Sequence, residues 1–99
     1  MEIVVKFKDD SKVKDIIDAF WRDQASGRAK FEAWKAGRPE FDSLKLDRVT
    51  YSNELVLVHT GATTADARLP AMREIAKKLA GAADISYAEP NMTAHPGGQ

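Results

Sequence analysis

The hydrophobic period of this chain switches from two residues to about 3.6 and back again, twice over, and that succession constrains its fold more than any single motif. EIVVKFK at residues 2–8 alternates, with Ile3, Val5 and Phe7 on one face and Glu2, Val4, Lys6 and Lys8 on the other, as a half-buried strand requires. Val13, Ile16, Ile17 and Phe20 then recur at helical spacing behind Ser11, a residue suited to cap a helix. The stripe meets Gln24 and Gly27 before it recovers at Phe31 and Trp34, so a break near residues 25–27 is expected, with a second helical piece ending before Gly37 and Pro39. Residues 44–51 return to strand character. Ser52 and Asn53 then precede ELVLVHT at 54–60, which reads as a hairpin.

In the second arm of that hairpin Leu55, Leu57 and His59 share one face while Val56 and Val58 share the other, so both faces call for cover. A loop with Thr63 and Asp66 in capping-box spacing leads to the next helix, whose start the proline rule sets between residues 66 and 69, leaving Pro70 in its first turn. Leu69, Met72, Ile75, Ala76 and Leu79 form its buried stripe. Lys77 and Lys78 suit its negative end, and Gly81 stops it. A last strand is expected at 85–88. The order strand, helix, strand, strand, helix, strand predicts an α+β domain of ferredoxin-like βαββαβ architecture: a four-stranded antiparallel sheet, two helices on one face, and an extended first crossover around residues 28–39.

Ninety-nine residues hold one domain, and 15 basic against 15 acidic side chains with 43% hydrophobic residues describe a globular chain without a basic footprint for nucleic acid. No apolar run is long enough to span a bilayer, and MEIVVKFK is interrupted too early by lysine for a signal peptide. The absence of cysteine removes disulfides and thiolate metal sites, and two histidines do not make a zinc site, so no metal or other cofactor is expected. The glycines form no phosphate-binding loop, and the sheet lacks the stacking aromatics of an RNA-recognition module. No nucleophile, base and orienting group stand together in a motif, so an enzyme is not expected. His59 reads as a structural strand residue, and Phe31 with Trp34 as a core edge. Asn91, Met92 and Thr93 spell a glycosylation acceptor, a pattern short enough to arise by chance.

What remains is a surface. If Ile3, Val5, Phe7, Leu55 and Leu57 face the helices, then Val4, Val56 and Val58 lie on the open sheet face, either as an interaction site or as residues that satisfy strand propensity. A small-ligand-binding regulatory domain on the same fold is the alternative function that these features leave open.

Together EIVVKFK, ELVLVHT and DISYAEPN resemble the propeptide and inhibitor domains of subtilisin-like serine proteases, with YAEPN at 87–91 the most specific part. The resemblance covers about three quarters of the chain and leaves out the long stretch 23–41. It implies a ferredoxin-like fold, binding of the open sheet face on two surface helices of the protease, and a C-terminal tail laid in the substrate cleft. It further implies action as an inhibitor, or as an intramolecular chaperone when fused ahead of the protease. On this chain Glu89 and Asn91 would place side-chain oxygens at the N-termini of the enzyme helices, where orphan N–H groups and the positive dipole end favour an acceptor. Asn91 stands where the family often carries an acid, so its cap would be uncharged. Met92, Thr93, Ala94 and His95 would pair in the cleft as an added strand, with Pro96 ending the pairing. The expected organisation is a domain over residues 1–91 and a tail over 92–99, a monomer when free. It would be either a free-standing cytoplasmic inhibitor or the excised part of a secreted precursor.

Overall fold

A computed structural model of the protein describes residues 2–9, 11–59 and 65–91, without the side chains of 65–69 and 91. The chain runs β1 (Glu2–Phe7), α1 (Ser11–Arg22), α2 (Gln24–Lys35), a short 3₁₀ turn (Pro39–Phe41), β2 (Leu44–Val49), β3 (Glu54–His59), α3 (Ala65–Ala80) and β4 (Ile85–Asn91). All neighbouring strands are antiparallel, in the order β2-β3-β1-β4, so each crossover returns to a strand one place beyond its own neighbour. This is the α+β arrangement that the alternating periods predict, compatible with a ferredoxin-like fold.

One core joins the inner sheet face to all three helices. Ile3, Val5 and Phe7 of β1, Leu44, Leu46 and Val49 of β2, and Leu55 and Leu57 of β3 pack with Val13, Ile16, Ile17 and Phe20 of α1, Phe31 of α2, and Met72, Ala76 and Leu79 of α3. Phe31 and Phe41 are fully buried and Trp34 packs on the same cluster, as a core edge should. Their rings gather around Phe7, with Phe7–Trp34 edge-on at 5.5 Å and Trp34–Phe41 at 5.0 Å.

The first crossover differs from expectation in where it breaks. The helix stops at Asp23, not at residues 25–27, because the extended Asp23 caps α2 by accepting from the Ala25 backbone N–H at 3.1 Å and from Ser26 Oγ at 3.2 Å. Gly27 lies inside α2, buried where α2 crosses Phe20. A Cβ at this position would stand 2.5 Å from both the Cα and Cβ of Phe20. The glycine therefore serves close helix packing rather than a bend.

The crossover insertion also covers a sheet edge. From α2, Arg28 Nε and NH2 donate to the carbonyl oxygens of Leu46 and Asp47, and Lys35 Nζ donates to that of Leu44, all on the edge strand β2. Occupied edge carbonyls leave less template for another strand to pair with. Arg38 clamps the insertion to the far side of the fold. Its guanidinium holds Asp84 in a two-pronged contact at 2.8 and 3.2 Å, meets Glu40 at 2.9 Å, and lies over the rings of Trp34 and Phe41.

Three further boundaries move. β2 ends at Val49, and Thr50 to Asn53 form a turn in which Asn53 N–H donates to the Thr50 carbonyl and Asn53 itself takes φ 60°, a left-handed conformation that asparagine tolerates. α3 starts at Ala65, so Pro70 lies beyond its first turn, at the cost of one backbone bond. Thr63 of the expected capping box lies outside the described residues. Finally, β4 continues through Glu89 and Pro90 to Asn91 rather than ending at residue 88. Pro90 is tolerated because β4 is the other edge strand, with β1 as its single neighbour.

Candidate functional site

The outer face of the sheet is built by register. Val4 of β1 stands opposite Val56 of β3 on one side and opposite Glu89 of β4 on the other. Arg48 of β2 stands opposite Val56. One transverse row thus reads Arg48, Val56, Val4, Glu89: a cation, two valines and an anion from edge to edge. The next row reads Lys45, Val58, Glu2, Asn91, and the third places Glu54, Lys6 and Tyr87 side by side. Among the described residues no helix covers this face, since all three pack on the other side.

A β-bulge puts Arg48 there. The register of β2 against β3 shifts between Leu46 and Arg48, so Leu46 faces the core, Asp47 is the extra residue, and Val49 returns to the core. Simple alternation from Leu44 would have sent Arg48 inward. The bulge was the missing signal, and Arg48 with its partner Glu2 is the part of the site that sequence periodicity does not find.

The three valines differ in exposure. Val4 and Val58 are partly buried, whereas Val56 is 1% exposed although it is outside the main core cluster. Arg48 NH1 reaches across β3 to Glu2 Oε2 on β1 at 2.8 Å, NH2 meets Glu2 Oε1 at 3.2 Å, and NH1 also contacts Asp47 at 2.7 Å. The Arg48–Glu2 bridge thus spans β3 on the side of the sheet that carries Val56 and Val58. The hydrogen bond to Glu2, then that to Asp47, holds the guanidinium still more firmly in its charged form. At the hairpin end of the face Tyr87 Oη donates to Glu54, which also accepts from Thr50 Oγ1 at 2.9 Å, and Lys6 Nζ donates to the Ser52 carbonyl. The bond to Glu54 raises the Tyr87 phenol above its ordinary pKa because it favours the protonated form.

The structure therefore brings Val4, Val56, Val58, Glu89 and the backbone of Asn91 onto one face. Glu89 is exposed at its β4 edge. Met92, Thr93, Ala94 and His95 lie outside the described residues. β4 ends at Asn91 beside Glu2, so the chain leaves the sheet at the end opposite the Tyr51–Asn53 hairpin tip.

Elsewhere, a cleft of about 290 Å³ opens between the end of β1, the start of α1 and the hairpin tip, where Lys6, Lys8, Lys14, Asp18 and Asn53 ring Phe7 and Val13. Trp21 and Tyr51 stack at 5.2 Å on the surface, tying α1 to the hairpin. Among the described residues no group of His, Cys, Asp and Glu could hold a metal ion, and no helix is long and apolar enough to cross a membrane. His59 stands half-buried at the end of β3, opposite Leu44. No family model matches this chain, and neither a curated protein nor a solved structure is similar to it at a significant level.

Proposed function

We propose that this chain is a propeptide-like inhibitor of a subtilisin-like serine protease, able to act as a folding chaperone where it is joined to the enzyme. The observation that carries the reading is the placement of Glu89, from the YAEPN stretch, at the rim of the helix-free sheet face and in register with Val4 and Val56. An exposed carboxylate at the rim of a part-apolar face suits the N-terminus of a partner helix, where unpaired N–H groups and the dipole favour an anion. The valines supply apolar contact beside it. Residues 92–99 follow directly from β4, and as an extended segment they would add a strand in the enzyme's substrate cleft, with backbone bonds giving affinity and alternate side chains selecting pockets.

Inhibition is measured by titrating the purified chain against a subtilisin-like protease with a chromogenic peptide substrate. Tight inhibition is expected, and deletion of residues 92–99 should weaken it by more than about tenfold, as loss of a docked segment implies. Equal inhibition by the shortened chain would remove the tail from the mechanism. Lack of inhibition of any protease of this class, together with a thermal shift caused by a small metabolite, would favour the ligand-binding alternative.

A further inference from the structure

The central valine of this sheet face, Val56, is 1% exposed, and Arg48, its neighbour in register on β2, is bridged across β3 to Glu2. We propose that Arg48 is a hand-over residue, leaving Glu2 on docking to bind the C-terminal carbonyls of a partner helix whose N-terminus lies at Glu89. The proposal rests on the reading that this face docks on the protease.

The row Arg48, Val56, Val4, Glu89 sets the direction of the helix. Its cation and anion stand at opposite edges of the sheet, and three strand spacings separate them by about 14 Å. A helix of roughly ten residues has that length. Its positive end would meet Glu89 and its negative end Arg48, so both termini find opposite charge, while one apolar stripe lies over the two valines. The reverse orientation would place like charges at both ends.

The contact to be given up is open to water: the Arg48 side chain is 46% exposed and that of Glu2 28%, so solvent can take the place of either partner as the pair separates. Asp47, adjacent in sequence at 2.7 Å, keeps the guanidinium on the outer face when Glu2 releases it. A guanidinium carries five donors in a planar fork, enough to serve Asp47 and the last carbonyls of a helix together. Each group therefore has a contact available: the Glu2 carboxylate is open to water, Arg48 meets the helix end, and Val56 meets apolar side chains.

The test compares inhibition constants of single variants of the full chain against a subtilisin-like protease that the parent inhibits, with thermal melts to confirm folding. Glu2→Gln removes the competing negative charge and one of the two acceptor oxygens and should tighten binding about three- to tenfold, while Arg48→Gln should weaken it at least fivefold. Val58→Asp places a charge on the same face beside Glu2 and reports docking itself. Loss of binding in Val58→Asp with no tightening in Glu2→Gln would overturn the hand-over and leave the docking reading standing. Unchanged binding in Val58→Asp would overturn the docking reading. Tighter binding in Arg48→Gln would show that the arginine only blocks the face, which also overturns the hand-over.

Discussion

Replacing Gly27 by alanine sets two well-measured effects against each other. Gly27 lies in the first turn and a half of α2, and helix propensity alone predicts that alanine stabilises by up to about 1 kcal/mol. The packing says otherwise. The added Cβ would stand 2.5 Å from Phe20 Cα and Cβ and 2.8 Å from Phe20 N, and two of these atoms are backbone, which a rotamer change cannot move. Restoring ordinary contact requires α1 and α2 to separate by about 1 Å, and a gap of that size forfeits a quarter to a half of each affected dispersion contact. Phe20 and Phe31, both core residues, flank the crossing. Overpacking of this kind costs about 1–3 kcal/mol, and it exceeds the propensity gain. A net loss of about 1–2 kcal/mol is expected, which at 4–8 °C per kcal/mol lowers Tm by roughly 4–16 °C. Urea unfolding followed by tryptophan fluorescence measures it, with Ala29→Gly on the exposed side of α2 as the propensity control. A Gly27→Ala chain more stable than its parent would refute the close crossing and restore the view of Gly27 as a flaw in the helix.

Arg38→Ala should cost about 2 kcal/mol in the same assay, because it removes charge-assisted hydrogen bonds to Asp84 and Glu40 together with the cover over Trp34 and Phe41. The hydrogen bond from Arg38 holds the Asp84 carboxyl below its ordinary 3.8, so this pair stabilises the fold fully above that value and loses its effect as pH falls through the lowered one. Asp84→Asn should accordingly be less stable than the parent at neutral pH, with the two melting curves converging only well below pH 3.8; a gap independent of pH would show that the ionised pair is not the cause. Glu89→Ala should weaken protease inhibition by about 1 kcal/mol, roughly fivefold, without lowering Tm, since the side chain is exposed and its role would be to cap a partner's helix. An unchanged inhibition constant would remove Glu89 from the contact.

The faces of β1 and β3 were legible because alternation is a local property: Ile3, Val5, Leu55 and Leu57 point one way and Val4, Val56 and Val58 the other whatever the rest of the chain does. The amphipathic stripes of α1 and α3 and the order of elements were legible for the same reason, and with them the α+β fold. Within the candidate site, the same alternation found the valines. Residues that depend on a neighbouring strand or helix were not legible. Arg48 reaches the outer face through a bulge at Asp47, and a one-residue shift reverses every side chain that follows it. Gly27 reads as a helix breaker until Phe20 is placed against it. The last strand reads as 85–88 until β4 is found at the sheet edge, where the donor that Pro90 lacks is not needed.

The sequence by itself thus determined which segments are strands and helices and which side of each is apolar, since those follow from periods of 2 and 3.6 residues along one chain. The tertiary structure alone decided that Arg48, Val56, Val4 and Glu89 form one row and that Arg48 is bridged across β3 to Glu2. These four residues come from four separate strands, and their meeting is set by strand register, a quantity that no local pattern encodes.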